Sequence, residues 1–223
     1  MNNKKVNELL RRMREQGKVQ DWKAKGSLGE DAVLAQLLDY SYAHGGKIYQ
    51  SFKYPYASDA QGKNYLGNIK LENGQYIQYT DKKGLEDEID LLYITKYRIF
   101  VIEVKAYHAK IVIDNEWMTK NGTPVDKSPI WQTEKHCRHL YHQLWEVIPN
   151  GKTEYIVPIC CFVDECTVKD KRDAKYRNYI HVCVLDNILD AVDGLNSPLR
   201  YGLQLPDIYA QLSRIKTSVK KEY

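Results

Sequence analysis

The chain has 223 residues, 43% hydrophobic and 28% charged, with a formal net charge of +4. That is an ordinary soluble composition, long enough for one domain with extensions or two small ones. The five cysteines are odd in number and lack C-x-x-C or zinc-finger spacing, the N-terminus MNNKKVNELLRRM lacks an apolar core, and no stretch approaches a membrane span. A disulfide framework, a secretory signal and a membrane protein are thus excluded as expectations, and the cytosol is the expected compartment.

Charge is unevenly placed. Residues 1–25 carry a local balance of +5 and residues 214–223 one of +3, which leaves the body at −4. Basic ends on a mildly acidic body suit a polyanion partner, and equally a pair of solvated tails. The 18 tyrosines suit strand packing or stacking on a partner.

In chain order, residues 1–23 read as a basic helical leader. A second helix is expected at SLGEDAVLAQLLDY (27–40), where Val33, Leu34, Leu37 and Leu38 form an apolar stripe. Gly45-Gly46 ends it, and KIYQSFKY (47–54) reads as a strand. The segment 55–87 is an insert, with Asn73-Gly74 marking a β-hairpin. EIDLLYITKYRIFVIEVK (88–105) reads as two buried strands around a short turn, followed by a strand at 110–114 and a loop holding Trp117. Ser128-Pro129 starts a helix that runs to about Val147. YIVPICCFV (155–163) and YIHVCVL (179–185) are strands joined by a charged loop, and short helices near 186–193 and 206–216 close the chain. The order predicts one mixed α/β domain over 24–195, with residues 196–223 as a C-terminal helical extension ending in a basic tail.

The 88–105 hairpin poses an electrostatic question. If its turn is centred between Lys96 and Tyr97, paired positions sum to 193 and Asp90 faces Glu103, with Lys105 on the same face. Two opposed carboxylates destabilise a sheet unless one takes a proton or a divalent cation lies between them. A buried salt-bridge cluster is the structural alternative, but two acids and one lysine leave negative charge uncompensated.

Gly29-Glu30 with Val33, then Glu88-Ile89-Asp90, then Glu103-Val104-Lys105, then Trp117, Pro129, Gln132 and His136 form an ordered set. It resembles the nuclease-related domain, NERD, of the PD-(D/E)xK nuclease superfamily, over about residues 24–190. The resemblance implies a restriction-endonuclease-like α/β core, a mixed central sheet flanked by helices, here with an inserted β-hairpin. It implies Mg²⁺- or Mn²⁺-dependent hydrolysis of phosphodiester bonds in DNA. Asp90 and Glu103 would hold the metal with the Val104 carbonyl, Lys105 would position or help deprotonate the attacking water or hold a phosphate, and Glu30 and Gln132 would orient the shell. His136 would contact phosphate or support the metal-holding residues from behind. Nucleic acid is the implied partner, with a second copy of the chain or a helicase or topoisomerase as further candidates. The rival reading is a nuclease-fold module that binds nucleic acid or a protein without cutting.

Two residues have competing local readings. Ser27-Leu28-Gly29-Glu30 also spells a capping box, which would occupy Glu30 at a helix N-terminus. Gln132, His136, His139 and Gln143 form one polar stripe, of the kind that usually faces solvent. His136, His139 and His142 step by three, whereas zinc ligands on one helix step by four, which argues against a zinc site.

Overall fold

The structure is a computed structural model that describes residues 8, 11–12, 22–55, 64–70, 76–81, 86–115 and 117–223. Most of the basic leader lies outside these residues, as do the Asn73-Gly74 turn and its flanks.

Helix α1 (Trp22–His44) precedes strand β1 (Lys47–Pro55). Gly45 and Gly46 make the corner at φ of 74° and 115°, values that an L side chain resists. Strands β2 (Asn64–Lys70) and β3 (Tyr76–Asp81) pair antiparallel as a separate two-stranded sheet, so the inserted hairpin is present. Its innermost pair is Lys70↔Tyr76.

Strands β4 (Glu86–Ile94) and β5 (Ile99–Ala106) form the central hairpin. Leu91↔Ile102, Leu92↔Val101, Tyr93↔Phe100 and Ile94↔Ile99 all pair, which is the register expected from the sequence. The Lys-Tyr turn works because Thr95 takes over its hydrogen bonding. The Thr95 hydroxyl accepts from the amides of Tyr97 and Arg98 at 3.1 and 3.0 Å, and the Thr95 amide donates to the Arg98 carbonyl at 2.9 Å.

The chain continues through β6 (Lys110–Ile113), β7 (Met118–Lys120) and β8 (Thr123–Pro124) into helix α2 (Pro129–Leu144). Strand β9 (Ile156–Val163), β10 (Thr167–Asp170), helix α3 (Ala174–Tyr179) and β11 (His181–Val184) follow. Helices α4 (Ile188–Leu195) and α5 (Leu205–Ile215) lead to a last short strand, β12 (Lys221–Glu222). The main sheet has the order β11-β9-β5-β4-β1-β12, parallel from β11 through β5 and antiparallel from β5 to β12. IFVIEV of β5 and IVPICCFV of β9 are buried along their whole length, as central strands covered on both faces must be.

Helices cover both faces. Val33 and Leu37 of α1 and Ile188 and Val192 of α4 pack on Leu91, Tyr93, Phe100 and Ile102. On the other face, Cys137, Leu140 and Leu144 of α2 and Ile208 and Leu212 of α5 pack on Leu92, Ile94, Ile99 and Val101. A second sheet, β10-β6-β7-β8, covers a third cluster that includes Ile111, Ile113, Ile130 and Phe162. Sequence patterning alone reads β10 and α3 as a charged loop and β7 and β8 as part of the Trp117 loop. Strands of two to four residues carry no usable alternation.

The C-terminal segment lies against β1. Thr217 and Lys220 amides donate to Lys53 and Gln50 carbonyls at 2.9 Å, and β12 adds the outermost pairing. Lys216 and Lys47 pair with Glu222, and Lys220 lies 3.6 Å from Asp31, so these basic side chains are engaged within the fold. Among the described residues, no helix is long and apolar enough to cross a membrane.

Helix α1 approaches the sheet most closely at Gly29. A Cβ there would stand 2.7 Å from Val163 Cγ2 and 3.5 Å from Val104 and Ala106 carbons. Gly29→Ala is therefore expected to cost about 1–3 kcal/mol, the usual penalty of overpacking a core. Urea unfolding midpoints of the two proteins would measure it, and an unchanged midpoint would show that the helix shifts freely.

Candidate active site

Strand alternation fails at one place, and that place makes the site. Tyr49 and Phe52 of β1 both belong to the α2-side core although they are three residues apart. Ile89 and Leu92 of β4 do the same. Between them, Ser51 takes a left-handed φ of 53°, and Ser51 and Asp90 are skipped in an otherwise unbroken β1–β4 ladder. Both strands thus change faces at one level without losing register.

Asp90 sits at this switch, just past the last Leu91↔Ile102 pair. Its Oδ2 accepts a hydrogen bond from the Val104 amide at 2.8 Å, so the carboxylate caps the ladder. Glu103 is buried, and Lys105 pairs with its Oε1 while keeping 24% of its side chain exposed. The cation is therefore the part of the pair that a ligand can meet. Glu30, Asp90, Val104 and Lys105 line one open pocket at the sheet end, together with Gly26, Ala106 and Tyr107.

Helix α1 runs through Ser27 without interruption, so the capping box at Ser27–Glu30 does not form. Glu30 is left to face the pocket from the α1 side, opposite the layer that holds His136. Burial, and then the nearby Asp90, push its carboxyl up to about 7, against the pull of Lys220. Burial and Asp90 raise Glu103 to about 7 as well. Burial also raises Asp90. For Lys105, burial favours the neutral amine, but Glu103 and Asp90 outweigh it and hold the ammonium above its usual range.

Behind Glu103 lies a chain of buried polar groups. Glu103 Oε2 is 3.4 Å from His136 Nδ1, and neither atom has a hydrogen-bond partner. His136 Nε2 is 3.4 Å from Asp87 Oδ1, and His139 Nδ1 is 2.9 Å from Asp87 Oδ2. Lys135 Nζ lies 3.7 Å from the same carboxylate. The Tyr54 hydroxyl is 3.1 Å from the His136 carbonyl and 3.4 Å from Asp87. Asp87 is buried, yet its two histidines outweigh that cost and hold its carboxyl well below the usual range. Burial favours neutral His136, and Asp87 and Glu103 reverse this and raise its affinity for a proton.

The polar stripe of α2 thus turns inward. His136 and His139 are buried against the sheet, contrary to the solvent-facing expectation for such a stripe. Gln132, one turn before His136, is half-buried and is not among the residues lining the pocket. Sequence reasoning missed Asp87. Strict alternation places it on the face of Leu91, towards α1, and only the switch at Ser51–Asp90 turns it towards α2. The one signal in the sequence is Asp87-x-x-Asp90 in one strand, with three histidines on the following helix.

Two carboxylates and a backbone carbonyl fit a hard divalent cation, which takes few protein oxygens and keeps its waters. Among the described residues, no group of three or more His, Cys, Asp or Glu side chains is arranged to hold a metal.

A mixed sheet between two helical layers, with an acidic and basic constellation at the end of its central hairpin, defines a nuclease-like α/β core. The family model described as NERD, nuclease-related domain, matches residues 25–163, and the chain belongs to that family. No curated protein and no solved structure matches the chain.

Proposed function

We propose that the protein is a metal-dependent nuclease of the PD-(D/E)xK type that hydrolyses phosphodiester bonds in DNA, acting in the cytoplasm. The observation that carries this reading is the pocket shared by Glu30, Asp90, Val104 and Lys105 with buried Glu103 beside it, in a chain of the nuclease-related family. Mg²⁺ or Mn²⁺, when bound, would supply a nucleophilic hydroxide and charge to stabilise the phosphate. Asp90, Glu103 and the Val104 carbonyl are its proposed holders. Lys105, kept charged by its neighbours, orients the attacking water or a phosphate oxygen. Glu30, with a carboxyl near 7, exchanges a proton close to neutral pH. His136 fixes the orientation of Glu103 rather than meeting phosphate, because it is buried behind that carboxylate. Gln132 is proposed to orient the shell from α2, one turn before His136.

The test is cleavage of plasmid and oligonucleotide DNA with Mg²⁺ and with EDTA. Cation-dependent products support the reading, and binding without cleavage under both conditions favours the module that only binds.

The basic leader is proposed to hold the DNA backbone. Deleting residues 1–23 is expected to weaken binding and to flatten its dependence on salt, by about 0.9 in log–log slope for each phosphate that the leader neutralises. Affinity measured across a salt series checks this, and unchanged affinity at low salt would reduce the leader to a solvated tail.

A further inference from the structure

A second pocket opens on the opposite end of α2, between that helix, the β6–β7 loop and α3. Four aromatic side chains surround it, Trp117, Trp131, Tyr176 and Tyr179, each between 46% and 52% exposed. Single exposed aromatics are commonplace, but four around one pocket form a patch with a purpose. The pocket has a volume of about 160 Å³, smaller than the roughly 300–1,000 Å³ of drug-sized ligand sites and suited to a small flat group.

Its wall contains Arg172, which is 4% exposed. The Asp170 carboxylate holds Arg172 Nε and Nη2 at 3.0 and 2.8 Å, and the Ile180 carbonyl accepts from Nη2 at 2.9 Å. Nη1 is buried and has no hydrogen-bond partner. A donor in that position costs free energy unless something accepts from it. Because Asp170 fixes the guanidinium plane, the direction in which Nη1 points is fixed too. Glu134, ion-paired with Arg138 at 3.1 Å, adds an acceptor on the same wall.

We propose that this pocket binds one nucleobase of the substrate, stacked among the aromatic rings and accepting a hydrogen bond from Arg172 Nη1. Aromatic faces take any base, and a base edge offers both the acceptor that Arg172 lacks and donors for Glu134. A paired base in a duplex cannot reach such a pocket, so the nucleotide bound there is single-stranded or extrahelical. Trp131 and His136 are five residues apart on α2, about 8 Å along the helix axis. The inference takes nucleic acid as ligand from the proposed function and adds the form of the strand.

The experiment compares binding of a labelled oligothymidylate with an abasic oligomer of equal length, by fluorescence anisotropy in EDTA, where cleavage does not intrude. The full-length chain is expected to prefer the base-bearing strand by at least about fivefold. Trp131→Ala, at an exposed position, should abolish that preference and leave the affinity for the abasic strand unchanged. Arg172→Lys, with its fold checked by thermal melting, should reduce it in the same way. Equal affinity for the two strands in the unmodified protein, or an intact preference in Trp131→Ala, would overturn the proposal. The nuclease reading fails separately. Base preference without cation-dependent cleavage sinks that reading alone, and cleavage without base preference sinks the pocket alone.

Discussion

Glu103→Gln and Lys105→Ala are each expected to lower cation-dependent DNA cleavage by about 10²-fold or more while DNA affinity and the circular dichroism spectrum stay close to those of the unmodified protein. The two substitutions act on different groups. Glu103→Gln removes a negative charge that the pocket holds only at a cost, since burial and Asp90 already push its carboxyl up to about 7. The amide keeps the shape and can still accept from Lys105. Lys105→Ala removes a partly exposed ammonium, and the carboxylate left behind can take a proton near neutral pH instead of remaining as an unpaired buried charge. Neither change therefore threatens the fold, and loss of activity would report on chemistry. Initial rates on a supercoiled plasmid, with melting curves beside them, measure both. A variant that cleaves at the rate of the unmodified protein would remove its residue from the mechanism.

The second large effect concerns stability. Without a divalent cation, the protein is expected to become less stable as pH rises from about 5 to about 7. Glu103 and Glu30 each rise from 4.5 to about 7 in the folded state. Between those values the folded state binds more protons than the unfolded one. The stabilisation is complete below 4.5 and is lost as pH passes through 7. For Glu103 alone the shift corresponds to about 3 kcal/mol. His136, also raised, acts in the same direction. Asp87 acts in the opposite one. Its carboxyl is depressed from 3.8, so its contribution is present above that value and disappears as pH falls further.

Asp90→Asn tests the origin of that slope. The asparagine oxygen can still accept from the Val104 amide, while the charge that raises both Glu30 and Glu103 is gone. At neutral pH the variant should melt no lower than the unmodified protein, and its stability should depend less on pH. Mg²⁺ should raise the melting temperature of the unmodified protein by linkage and leave the variant unmoved. If the cluster were a structural salt bridge, the same substitution would destabilise by a few kcal/mol and the cation would change neither protein.

The central hairpin was legible because its register depends on one turn. Once paired positions sum to 193, Glu103 and Lys105 follow from alternation and the observed pairs keep that sum, but the ladder ends at Leu91↔Ile102, and Asp90 lies at the face change rather than in a pair with Glu103. The helix at Ser128 was legible from its cap, whose hydroxyl accepts from the Ile130 amide at 3.3 Å. What escaped depends on neighbours distant in sequence. Asp87 reaches His136 and His139 only through a face change that β1 and β4 make together, and nothing within EDEID announces it. The capping box at Ser27 had the right residues but stands inside a longer helix, because the preceding turn is helical as well. Arg172 reads as one charge among many in DECTVKDKRDAKYRN, until the fold buries it between Asp170 and Ile180.

The face change at Ser51 and Asp90 also decides how the proposed activity would be lost. It brings Glu30 from the α1 layer and Glu103, braced by His136, from the α2 layer to the same end of the sheet. A site assembled from two layers exists only while both are docked. Loosening either one separates its parts, although most strands and most helical content would survive. Activity should therefore vanish at a lower urea concentration than ellipticity does. A chain still emerging from synthesis, or one beginning to unfold, would in that case be harmless to the nucleic acid around it.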